Sequence, residues 1–115
     1  MPIINNSDTP YEAADGRKAR RFVNKDAGAA NLTVGELVME PGSALRLHTH
    51  PTDEAIVLLE GSVEMVVGDE SRIVNPGHTL LAPPNTPHRL INHSDVEARM
   101  YTIFPTDNPP TTFVD

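Results

Sequence analysis

The sequence predicts an all-β sandwich or barrel. Eleven prolines and seven glycines interrupt the 115 residues. The intervals between them, about ten residues each, hold short β-branched and aliphatic runs, which is the spacing of strands joined by turns. No stretch repeats its apolar residues with a convincing helical period. Aromatic residues make up only 4% of the chain, so the core must rely on Leu, Val, Ile and Met. A chain of this length is one domain, able to bury about two-thirds of the surface its unfolded form exposes.

Residues 1–16 carry Pro2, Asp8, Pro10, Asp15 and Gly16 and read as an N-terminal extended arm with a short strand at Ile3-Ile4. Arms of this kind pair with a neighbouring subunit's sheet. A single barrel is expected over residues 17–105. It opens with an edge strand at 17–24, where Phe22 and Val23 make the apolar contacts and Arg17, Lys18, Arg20 and Arg21 read as a solvated face, with an anion-binding role as the lesser reading. Residues 31–40 alternate, with Thr33, Gly35, Leu37 and Met39 on one face and Leu32, Val34, Glu36, Val38 and Glu40 on the other. Pro41-Gly42 ends this strand. Further on, 62–67 and 70–74 form a hairpin through Gly68-Asp69, which supplies the positive φ of a tight turn. Asn75-Pro76-Gly77 turns the chain again. Residues 79–82 are a short buried strand, and Pro83-Pro84-Asn85-Thr86-Pro87, poor in amide donors, is a loop. The strand at 88–92 puts His88, Leu90 and Asn92 on one face. The last strand, 97–104, has Arg99, Tyr101 and Ile103 on one face and Ala98, Met100, Thr102 and Phe104 on the other. Pro105 stops it, and residues 106–115 form a C-terminal tail, stiffened by Pro109-Pro110, that packs outside the barrel.

The chemistry concentrates in residues 42–61. His48 and His50 are two apart on a strand, so both imidazoles leave the same face about 7 Å apart along it. By parity Arg46 shares that face. Glu54 follows the bend at Pro51-Thr52-Asp53 and opens the apolar run Ile56-Val57-Leu58-Leu59, a buried strand closing at Gly61. Two nitrogens and a carboxylate therefore converge on one point, and His88 is well placed as a fourth partner. With no cysteine in the chain, a bound metal must rely on His and carboxylate.

These residues resemble the cupin family. Its first motif runs Gly, five residues, His, one residue, His, three residues, Glu, six residues, Gly, and Gly42, His48, His50, Glu54 and Gly61 match every position. Gly77, Pro83, His88 and Asn92 fit the second motif, with Asn85 standing where the family has Gly. Asn tolerates a left-handed backbone better than other non-Gly residues, so the turn is expected to survive. The resemblance implies a double-stranded β-helix, the jelly-roll barrel of the cupins, and makes a homodimer the expected assembly. It also implies one divalent transition metal per chain, held by His48, His50, Glu54 and His88. Imidazole and carboxylate leave Fe, Mn, Ni, Zn and Cu all open as its identity.

Four ligands leave two positions of an octahedron for water, dioxygen or a bidentate substrate, as in a catalytic site. Around the ion, Leu37, Met39, Ile56, Leu58 and Leu90 form a small aliphatic pocket. Arg46 is either a rim or salt-bridge residue or a clamp for an anionic substrate. Tyr101 is either a donor in the cavity or a core aromatic. Asn92 is a second-shell or strand-pairing residue rather than a ligand. His78 and His93 fall outside the pattern and are read as surface residues.

The expected function is a metal-dependent enzyme, dioxygenase-like or an isomerase or lyase, acting on a small oxygenated or acidic metabolite. The alternative is a non-catalytic small-ligand binding or sensor module in which the metal anchors the ligand, and a third reading gives the metal a structural role only. A net charge of −7 without a basic run argues against nucleic acid or an anionic membrane as partner. The N-terminus lacks the basic and apolar regions of a secretion signal, and no segment is apolar enough to span a membrane, so a cytoplasmic location is expected.

Overall fold

A computed structural model describes residues 2–114; Met1 and Asp115, the outer ends of the expected arm and tail, lie outside the described residues. The strands are β1 (Glu12–Ala14), β2 (Arg17–Val23), β3 (Thr33–Met39), β4 (His48–Thr49), β5 (Glu54–Glu60), β6 (Val63–Val67), β7 (Glu70–Val74), β8 (Thr79–Ala82), β9 (His88–Ile91), β10 (Ala98–Phe104) and β11 (Thr112–Phe113). The only helical segments among the described residues are two 3-10 turns, Asn6–Asp8 and Lys25–Ala27. Two antiparallel sheets face each other, one ordered β1-β2-β3-β10-β5-β8 and the other β11-β4-β9-β6-β7. This is the jelly-roll barrel expected from the motifs.

Alternation along the central strands fills the space between the sheets. On β5, Glu54, Ile56 and Leu58 are buried while Ala55, Val57 and Leu59 are less so. On β10, Met100 lies opposite both Leu37 and Leu58. With Met39, Val63 and Leu90, these side chains make one contiguous core. Each fully buried aliphatic side chain stabilises the fold by about 1.5–3 kcal/mol. Gly61 ends β5 with φ +85°, and a Cβ there would lie 2.6 Å from the Glu97 carbonyl oxygen, so only glycine lets the chain pass β10 at this distance. Asn85 takes the left-handed conformation, φ 61°, at the position where glycine was expected. Its amide donates to the His50 carbonyl at 2.7 Å, which ties the proline-rich loop to β4.

The two ends of the chain differ from expectation. Ile3 is fully exposed and no strand forms at Ile3-Ile4, because no sheet edge of this chain lies beside it. Instead β1 pairs with β2 around Asp15-Gly16, with Ala14 opposite Arg17. The Asp-Gly pair is a two-residue hairpin signal present in the sequence. The tail does not pack outside the barrel: β11 pairs with β4, and the Val114 amide donates to the Leu47 carbonyl at 3.1 Å. Without it β4 would be a sheet edge with unsatisfied backbone groups, and the tail supplies the partner.

The outer face of the six-stranded sheet carries a closed polar network. Glu36, 3% exposed, accepts from Tyr11 Oη at 2.6 Å, Arg20 Nε at 2.8 Å and an Arg99 guanidinium nitrogen at 2.8 Å. Burial alone would raise its pKa; the tyrosine and the two arginines outweigh that and hold the carboxyl below the usual range.

Candidate metal centre

The four expected ligands meet between the sheets. His48 on β4 stands directly opposite His88 on β9, His50 follows two residues on, and Glu54 opens β5 across the gap. One donor atom from each of His48, His50, Glu54 and His88 lies within 4.8 Å of the other three. His88, Glu54 and His50 are buried, and His48 is half-buried at the mouth. Ring centroids stand 4.3 Å apart for His48 and His88, 4.9 Å for His48 and His50, and 5.2 Å for His50 and His88.

Each imidazole is held from behind. Nδ1 of His48 lies 2.7 Å from the Arg46 carbonyl, Nδ1 of His50 2.9 Å from the Pro110 carbonyl, and Nδ1 of His88 2.9 Å from the Thr86 carbonyl. A carbonyl oxygen only accepts, so Nδ1 carries the proton in all three rings and the neutral ring leaves Nε2 as a bare lone pair. Nε2 of His88 and of His50 then approach Glu54 Oε1 at 2.8 Å and 3.3 Å.

These contacts test whether the donor set fits a cation. With neutral rings, lone pairs face a carboxylate oxygen, acceptor against acceptor. Doubly protonated rings would crowd imidazolium charges in a buried space beside one carboxylate. A divalent ion among the four atoms removes the conflict, and imidazole with carboxylate suits the borderline transition ions. The residues fit the group.

The electrostatics follow the same division. Burial pushes the His48 pKa down, the neighbouring His88 and His50 add to that, and the Arg46 carbonyl opposes it. For His50 burial also acts downward, but Glu54 and the Pro110 carbonyl outweigh it and the pKa rises. Burial acts to raise the Glu54 pKa; in the absence of a cation the adjoining His50 and His88 rings, which donate from Nε2 only when doubly protonated, prevail and lower it, so the carboxyl stays an anion.

A cavity of about 290 Å³ opens at the cluster, at the small end of the range for small-molecule sites. Leu45, Arg46, Thr102, Phe104 and Phe113 line it beside His48, His50 and Glu54, while His88 lies behind them. Phe104 meets His50 edge-on with centroids 4.9 Å apart. Of the five aliphatic residues expected around the ion, Leu37 lines this cavity, and Met39, Ile56, Leu58 and Leu90 pack in the core. A second cavity, about 220 Å³, lies around Met65, Leu80 and His78, and none of the four donors lines it.

Arg46 lies at the rim, its guanidinium 3.9 Å from the centroid of the Phe113 ring. Tyr101 does not line the cavity. It sits on the other face of β10 from Thr102, opposite Glu36 in register and edge-on to Phe22 at 6.2 Å. Asn92, fully buried, touches none of the cluster: its amide donates to the carbonyls of Met39, Glu40 and Val96, and its oxygen accepts from Ser94. It pins the turn before β10 to the end of β3. His78 bonds the Asn75 carbonyl and His93 meets Glu64 at 2.7 Å, both exposed.

Sequence reasoning missed the Pro110 and Thr86 carbonyls, since a backbone acceptor leaves no residue-type signal. It also missed Arg17 and Arg21 as cavity residues. Arg20 and Glu36 border the cavity too; alternation along β2 could have separated Arg17 and Arg21 from Lys18.

Comparison with known proteins agrees with this architecture. The family model described as Cupin domain matches residues 35–104. Protein SchB of Streptomyces halstedii is 31% identical over 100 residues, covering 85% of this chain and 72% of its own. The tetracenomycin polyketide synthase protein TcmJ of Streptomyces glaucescens is 26% identical over 99 residues, covering 85% of this chain and 66% of its own. The structure of the polyketide cyclase RemF from Streptomyces resistomycificus superposes with a TM-score of 0.87 at 23% identity, covering 100% of this chain and 86% of that one. The matched segment spans most of the barrel, β3 through β10, and on that evidence the chain belongs to the cupin family.

Proposed function

We propose that this cupin is a metal-dependent enzyme acting on a small, oxygen-rich, anionic metabolite. The observation that carries the reading is the convergence of three imidazoles and one carboxylate at a cavity that a small molecule can enter. A divalent ion held by His48, His50, Glu54 and His88 supplies Lewis acidity toward carbonyl and carboxylate oxygens, or a redox couple where the ion has one.

The chain's own residues do the rest. The carbonyls of Arg46, Pro110 and Thr86 keep each Nδ1 protonated and fix the ring planes. Leu45, Phe104 and Phe113 limit water around the reacting oxygens. Arg46 offers positive charge at the rim. Tyr101 points away, and Glu36, although it borders the cavity, has its carboxylate engaged by Tyr11, Arg20 and Arg99, so neither is free to act as a general base. The name of one similar protein, a polyketide synthase protein, makes a polyketide-like carbonyl compound one substrate to try, with oxidation, isomerisation and bond cleavage all open as the reaction.

Protein loaded in turn with Mn(II), Fe(II) and Zn(II), incubated with small diketones, catechols and 2-oxo or hydroxy acids, tests this reading. Substrate loss, abolished by His50→Ala, is the expected result. Oxygen uptake coupled to substrate loss would make the reaction an oxidation. Saturable binding without product would make the chain a ligand sensor instead.

A further inference from the structure

The geometry points to a second anchoring point in the same cavity, where Arg17 and Arg21 hold the anionic tail of a ligand whose oxygen-bearing head lies at the histidine–glutamate cluster. The inference rests on the reading of that cluster as the place where the head binds.

Strand β2 carries the basic run Arg17-Lys18-Ala19-Arg20-Arg21, and strand alternation divides it between two environments. Lys18 and Arg20 lie on the outer face, although Arg20 and its partner Glu36 also border the cavity. Lys18 Nζ is 4.5 Å and the Arg20 guanidinium 4.1 Å from the centroid of the Tyr11 ring, and Arg20 also holds Glu36. Structure accounts for both. Arg17, Ala19 and Arg21 stand opposite Met39, Leu37 and Gly35 on the inner face, and all three line the cavity that holds His48, His50 and Glu54. Among the described residues, no hydrogen bond or ion pair takes the side chain of Arg17 or Arg21, whereas Arg20 and Arg99 are paired and Arg46 has partners.

Two guanidiniums on one strand face repel each other, and the chain has acidic residues to spare, with 16 Asp and Glu against 9 Lys and Arg. A carboxylate for each was available to the fold and is not used. The positive field at this wall runs against the negative net charge of the whole chain, which draws anions to the cavity. A planar guanidinium fork matches a carboxylate or a phosphoryl group. The ligand class is therefore a small acid with an oxygen-bearing head and a second anionic group, carboxylate or phosphoryl, at its other end.

Calorimetric titration of the Zn(II)-loaded full chain with matched pairs tests the tail apart from the head. 2-Oxoglutarate is compared with 2-oxopentanoate, and phosphonopyruvate with 2-oxobutanoate; in each pair a methyl group replaces the anionic tail. At least one tailed acid should bind about tenfold more tightly than its partner, the effect of one charge-assisted contact. That advantage should vanish in Arg17→Gln combined with Arg21→Gln, with zinc content and untailed-acid affinity unchanged. Which pair shows the advantage assigns the tail as carboxylate or phosphoryl. Equal affinities within both pairs, no binding of any acid, or an advantage that survives the double substitution would overturn the inference. Arg21→Gln alone, at an exposed side chain, keeps the test open should the double variant not fold. Failure of the cluster reading would appear separately, as zinc content unaffected by His50→Ala.

Discussion

Two buried carboxylates on opposite faces of the same sheet, Glu36 and Glu54, are solvated by the protein in opposite ways. Both are almost fully buried, at 3% and 4% exposure. Glu36 is held by two guanidiniums and a phenol, groups that keep the same charge across the physiological range, and its network ties β2, β3 and β10 to Tyr11. Both border the same cavity, but Glu54 is held by imidazoles whose charge depends on what else is bound. Permanent partners make a structural brace. Conditional partners beside a cavity make a site that can bind an ion and exchange a ligand.

The largest expected effect separates the two directly. Glu54→Gln should lower metal affinity beyond the roughly 10–100-fold typical of losing an outer-shell partner, whereas Glu36→Gln should leave it unchanged. Elemental analysis after dialysis against a weak chelator reads the result, and full metal content in Glu54→Gln would erase the distinction. Next in size, Glu36→Gln should destabilise the fold by about 2–4 kcal/mol in urea unfolding, below the usual cost of breaking a buried pair because both arginines are partly solvated. A loss under about 0.5 kcal/mol would mean that the network braces nothing.

Acid should resolve the carboxylates further. The Glu36 pKa is lowered in the folded state from its ordinary 4.5. Its contribution is therefore complete above the unfolded value and is lost as pH falls through the folded value. Glu36→Gln should flatten the acid limb of the stability curve. Metal retention should fail earlier, between about pH 7 and 5, where free imidazoles take up protons and compete with the ion. Coincident loss of metal and of fold on acidification would contradict the separation.

A smaller effect is expected at the tail. Ending the chain after Pro109 removes the carbonyl that holds His50 and should weaken metal binding by about tenfold, with the core intact. Smallest of all, Phe113→Ala removes a ring–guanidinium contact worth about 0.5–1 kcal/mol at an exposed site. It should change the affinity of anionic ligands more than that of the metal.

How much of this was legible from sequence follows from range. His48 and His50 share a face because alternation along one strand is a local property, and the Asn85 turn was readable because few residues tolerate a positive φ. Tyr101 and Glu36 were correctly assigned to the face opposite Leu37 and Met100. That this face carries a buried ion network was not legible, because Tyr11 and Arg20 reach it from other segments. Asn92 read as a support of the metal site or a strand-pairing residue; its backbone pairs with Gly42 and Ser43, and its side chain bonds the end of β3 and the turn before β10. The tail read as packing outside because nothing in Thr112-Phe113 names β4 as its partner.

By itself the sequence determined the strand-and-turn rhythm, the alternating faces and the donor types, since each depends on residues a few positions apart. Tertiary structure alone decided which carboxylate became a brace and which joined three imidazoles, and which carbonyls locked those rings. It also decided that two arginines of one basic run turn inward without partners. Those outcomes depend on which strands lie side by side, a choice made by burying the whole core at once and not by any short stretch of chain.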